Sequence, residues 1–109
     1  MICIPIVGAS MPKALEQIIS AEKIADILEL RLDLIDSPDL KVLLNVVSKP
    51  VIVTNRTKLD GGQFRGTDDE RLQALHDALA AGADYVDIEV STPRELLQPF
   101  LEGHTRTHT

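Results

Sequence analysis

Four short apolar runs alternate along the chain with stretches whose apolar residues recur every three or four positions. Residues 1–7 form the first run, closed by Gly8, Ala9 and Ser10. Leu15, Ile18, Ile19 and the 21–25 stretch then follow helical spacing. Residues 25–33 form a second run. The stripe Leu40, Leu43, Leu44, Val47 follows, and Lys49-Pro50 stops it. A β-branched run at 51–54 has strand composition. Leu72, Leu75, Leu79 and Ala80 mark a third helix, with Gly82 as its stop. Residues 84–90 form a fourth strand, and a fourth helix is expected from Ser91-Thr92-Pro93 to about Leu101, ended by Gly103. Local signals place the helix starts. Ser10 caps a helix beginning near Met11 with Pro12 in its first turn, and Ser37 caps a second with Pro38 at its first position. Thr67 followed by Glu70 is a capping box, with Asp68 and Asp69 at the positive end of that helix.

Strand–helix alternation repeated four times implies an α/β fold with a parallel sheet and right-handed crossovers. Near-continuous apolar strands suit a sheet covered on both faces. Pro5 removes one ladder donor, so the first strand is expected at an edge or to carry a bulge. No glycine-rich phosphate loop follows the first strand, which disfavours a dinucleotide fold.

The polar residues break this pattern at the strand ends. In residues 27–33, Glu29, Arg31 and Asp33 alternate with Leu28, Leu30 and Leu32, so one strand face carries three ionised groups. Charges out of water are costly unless paired, so that face is either wet or a polar site. Thr54 and Arg56 end the third run, and Asp87 and Glu89 fall in the fourth. Ligands of parallel α/β folds bind where strands end. Arginine forks and carboxylates there suit a polyhydroxylated or carboxylated small molecule. The bland alternative is mutual ion pairing, with Glu29 or Glu89 neutralising Arg31 or Arg56. Glu16, Lys23, Lys41, Asp77 and Glu95 read as solvated helix faces.

Composition narrows the choice. The 109 residues suit one domain or part of a larger one, and 44% are hydrophobic, enough for a core. That core is aliphatic, because Phe64, Phe100 and Tyr85 are the only aromatics, and a nucleobase would find little to stack on. A formal charge of −6 argues against nucleic-acid partners. No apolar run is long enough for a bilayer and no signal peptide is evident, so a soluble, cytoplasmic protein without membrane partners is expected. Cys3, alone in the first apolar run, reads as a small buried hydrophobe. No metal-ligand set is evident; His104 and His108 lie in the polar tail at 103–109, without a third ligand. His76 reads as a surface residue, and Lys58, in a glycine-rich loop, lacks the desolvation a catalytic lysine needs.

Glu-Leu-Arg-Leu-Asp at 29–33, Val-Thr-Asn-Arg at 53–56, Asp60-Gly61-Gly62 and Asp-Ile-Glu at 87–89, in that order, resemble the type I 3-dehydroquinate dehydratase family. The resemblance implies the first four units, (βα)4, of a (β/α)8 TIM barrel, forming one half-barrel over 1–109. It implies dehydration of 3-dehydroquinate to 3-dehydroshikimate in the shikimate pathway of aromatic amino-acid biosynthesis, without cofactor or metal. Glu29, Arg31 and Arg56 would bind substrate, and Asp33, Asp60, Asp87 and Glu89 would support them. The family's imine-forming lysine and base histidine belong to its later half and match no position here. The isolated chain is therefore expected to be inactive, and to pair as a homo-oligomer or with a complementary C-terminal half. Two positions depart from the family: Asp60 where glutamate is common, and Pro5 where serine or a similar polar residue is usual.

Overall fold

The computed structural model describes residues 1–58, 61–64, 66–88, 94–96 and 98. The order is β1 (Cys3–Ile6), α1 (Met11–Ala21), β2 (Ile27–Arg31), α2 (Leu40–Val46), β3 (Val51–Thr54), α3 (Asp68–Ala80) and β4 (Tyr85–Asp87). The strands form one sheet, ordered β1-β2-β3-β4, and every pairing is parallel. The expected fourth helix and the 103–109 tail fall largely or wholly outside the described residues.

Register sorts the side chains. Ile6, Leu30, Val53 and Val86 form one row on the helix-covered face, with Leu28 and Val51 a row below. These pack against Ala14 and Ile18 of α1, Leu43 of α2, and Leu72, Leu75 and Ala78 of α3. The opposite face carries Pro5, Glu29, Ile52 and Tyr85 in one row and Arg31, Thr54 and Asp87 in the next. Among the described residues helices cover only the first face. Cys3 and Pro5 are exposed on the second, where Ile27, Ile52 and Tyr85 are half-buried. The expectation of a sheet covered on both faces is therefore corrected, and so is that of a buried Cys3. The thiol stands on the uncovered side, its pKa raised by partial desolvation and by the Glu29 charge. β1 is an outer strand, so the missing donor of Pro5 costs no ladder bond between described strands.

Helix boundaries follow local chemistry, with two shifts. Ser10 caps α1 and Pro12 occupies its first turn. The helix stops at Ala21, short of the apolar stretch that runs on to Ala25, because i→i−3 bonds from Lys23 N to Ser20 O and Ile24 N to Ala21 O tighten the chain. Asp39, not Ser37, caps α2: its Oδ1 accepts from Val42 N at 3.2 Å. Ser37 instead takes φ 47°, a turn conformation that lies upstream of the helix. The Thr67/Glu70 capping box forms with both reciprocal bonds.

Two aspartates open strands in the same way. Asp26 Oδ2 accepts from Ile2 N at 2.6 Å, and Asp84 Oδ2 accepts from Val51 N at 2.9 Å. Each carboxylate ties the start of one strand to its neighbour. At the other end of β1, Gln17 Oε1 accepts from Val7 N and Gly8 N, fixing the turn against α1.

Candidate active site

The residues that end the strands on the uncovered face form one cluster. β2 presents Glu29 and Arg31, β3 presents Thr54, and β4 presents Asp87. Arg56 and Asp33 lie just beyond the strands, in the loops that leave β3 and β2. β2 ends at Arg31 rather than at Asp33, and Leu34 N bonds back to Arg31 O, turning the chain there.

Among the described residues Glu29 pairs with neither arginine, and the alternative pairing through Glu89 lies outside them. Arg31 forks onto Asp33, Nε to Oδ1 at 3.0 Å and Nη2 to Oδ2 at 2.8 Å. Arg56 Nη2 donates to Asp87 Oδ2, across to β4. Glu29 accepts from the buried Thr54 hydroxyl at 2.8 Å. The reason is register: Glu29 sits beside Ile52, whereas Arg31 sits beside Thr54 and Thr54 beside Asp87. Glu89 and Asp60 lie outside the described residues.

Electrostatics distinguish the two arginines. Burial pushes the Asp33 carboxyl up, but hydrogen bonds from Arg31, Gln63 N and Arg56 N, with the Arg31 charge, outweigh it and hold the pKa below the ordinary carboxylate value. The Asp33 bond raises the Arg31 pKa against partial desolvation. The Arg56–Asp87 pair is about one-third exposed, so it contributes at most about 1 kcal/mol to stability. With three carboxylates and two guanidiniums, the set can both donate to and accept from hydroxyl groups.

The loop after β3 is folded tightly on itself. Phe64 N donates to Arg56 O at 3.0 Å and Gly62 N to Thr57 O at 2.7 Å. A Cβ on Gly62 would stand 2.1 Å from Arg56 O, so only glycine fits against that carbonyl. Lys58 is exposed in this loop and His76 is exposed on α3, away from the strand ends. Among the described residues no cluster of His, Cys, Asp and Glu could hold a metal, and no helix is long and apolar enough to cross a membrane.

Two features escape a reading of the sequence alone. Asn55 is 3% exposed and its Oδ1 has no partner among the described residues; it lines a cavity of about 310 Å³ with Asp33, Gln63 and Asp77. Gln63 serves through its main-chain N–H, which no side-chain pattern signals.

Four parallel strands alternating with three described helices, with a polar cluster at the C-terminal ends of the strands, are the α/β arrangement of part of a (β/α)8 barrel. The sequence matches the family description "Type I 3-dehydroquinase" over residues 2–109, and the chain belongs to that family. A 3-dehydroquinate dehydratase from Methanothermobacter thermautotrophicus is 41% identical over 98 residues, covering 86% of this chain and 44% of the relative. The crystal structure of a type I 3-dehydroquinate dehydratase from Clostridium difficile, with covalently modified comenic acid, superposes with a TM-score of 0.85 at 20% identity. It covers 96% of this chain and 46% of that one. The 3-dehydroquinate dehydratase of Aquifex aeolicus VF5 gives a TM-score of 0.68 at 26% identity, covering 94% and 46%. The chain spans under half the length of each of these proteins.

Proposed function

We propose that this chain supplies the hydroxyl-recognising half of a 3-dehydroquinate dehydratase site. The observation that carries the reading is the cluster of Glu29, Arg31, Thr54, Arg56 and Asp87 on the uncovered face of the sheet, at the strand ends. Glu29 and Arg56 contact the substrate hydroxyls, and Arg31, braced by Asp33, orients the ring. Asp87 steadies Arg56, and Glu89 and Asp60 support the same site. Each arginine already spends part of its fork on an aspartate, which favours single hydrogen bonds to hydroxyls over a bidentate grip on a carboxylate.

The reaction needs two further groups. A lysine forms an imine with the substrate ketone, which acidifies the adjacent carbon. A base removes that proton, and the hydroxyl leaves as water. No described residue at the strand ends is a lysine or histidine, so the 109-residue chain alone is expected to bind without turnover. Incubation with 3-dehydroquinate and borohydride, followed by intact mass, tests this. The expected result is an unmodified chain; a covalent adduct on one of its five lysines would overturn it.

The uncovered sheet face favours a second reading of the same chain as a half-barrel that docks onto further strands. Among the described residues β1 and β4 are each paired on one side only, and a sheet with open edges seeks pairing. The two readings are compatible, since docking would close the site.

A further inference from the structure

We propose that Asp33 is a positioning residue of the site, fixing the Arg31 guanidinium by a fork and, through Gln63 N, the loop that carries Arg56. The Asp33 side chain is fully excluded from solvent. Its two oxygens take the Arg31 fork, and Oδ2 also accepts from Gln63 N at 3.1 Å. One group thus grips β2's arginine and the far end of the 56–63 segment.

The consequence is geometric. Arg56 opens that segment, and its own carbonyl accepts from Phe64 N, so the position of its Cα depends on the loop being closed. Asp33 closes it from outside while fixing the Arg31 guanidinium from the other direction. The Arg31 guanidinium and the backbone of the loop that carries Arg56 are then tied to one carboxylate, while Asp87 holds the Arg56 guanidinium itself. A carboxylate excluded from solvent that accepts three hydrogen bonds has little room to relax toward another partner, which is what makes it a fixed reference.

The inference rests on the reading of Arg31 and Arg56 as substrate-facing, but its test uses no substrate. Failure of the test therefore leaves that reading standing, and failure of substrate binding leaves this one standing. Charged groups around the Asp33–Arg31 pair are Glu29 on β2, Arg56 in the loop, Asp87 on β4, and Asp77 of α3 across the cavity. ¹⁵N NMR of the chain follows two signals through an acid titration: Arg31 Nε–H and Gln63 N–H. They are expected to move together with one midpoint below the ordinary carboxylate range. Independent midpoints, or no movement before global unfolding, would overturn the proposal. In D33N the Gln63 amide is expected to exchange at least about tenfold faster while the Leu30 and Val53 ladder amides keep their protection. Uniform loss of protection across the sheet would mark Asp33 as a fold element only, and unchanged exchange would remove it from the site.

Discussion

Glu29 and Arg31 stand two residues apart on one strand face, yet their charges are met by different partners. Glu29 is met by a buried hydroxyl, Thr54, and Arg31 by a buried carboxylate, Asp33. The Thr54→Val change keeps the shape of the side chain and deletes the hydroxyl that donates to Glu29. Equilibrium urea unfolding should show a loss of about 1–2 kcal/mol. A loss near zero would mean that water replaces the bond. Asp33 makes stability depend on acid. Its pKa is lowered on folding, so its contribution is complete above the unfolded value of about 3.9 and is lost as pH falls through the lower folded value. Wild type should therefore lose stability more steeply below about pH 4 than D33N, read as urea midpoints across that range.

At the scale of elements, the parts that local chemistry decides were legible and those that tertiary contacts decide were not. The starts of α1 and α3 follow from Ser10 and from Thr67 with Glu70, because a cap needs only its own first turn. The start of α2 does not follow, since Ser37 and Asp39 both carry cap chemistry and the left-handed backbone at Ser37 selects the second. The charged strand face at 29–33 was legible from alternation alone. The partners of those charges were not, because they depend on β2–β3–β4 register and on Arg56 and Gln63 arriving from a loop. The matching roles of Asp26 and Asp84 at strand starts likewise appear only once strands pair. Gly62 gives an element-scale prediction. G62A would place a methyl group against the Arg56 carbonyl, so the 56–64 loop must open. The change is expected to cost about 1–3 kcal/mol and to speed hydrogen exchange at Phe64 N, whose acceptor is that carbonyl. Unaltered exchange at Phe64 would show that the loop accommodates the methyl group elsewhere.

For the whole molecule, the two sheet faces carry different obligations. One is buried under three helices and supplies the core. The other combines exposed or half-buried apolar residues, such as Ile27, Ile52 and Tyr85, with the polar cluster. Four parallel strands in sequential order can close into a barrel in only one sense, with an outer β4 meeting an outer β1 of matching direction. A second copy related by a two-fold axis along the barrel offers that arrangement twice, and so does a complementary set of four units. Closure buries Ile27, Ile52 and Tyr85 and pairs both edges, so association and folding stability are linked. The expected outcome is a mass by light scattering that falls from dimer toward monomer on dilution, with the thermal midpoint falling over the same concentrations. A chain that stays monomeric and keeps a concentration-independent midpoint through the micromolar range would show that the uncovered face is tolerated in water. In that case the docking reading fails, while the polar cluster at the strand ends, whose described contacts lie within one chain, is left intact.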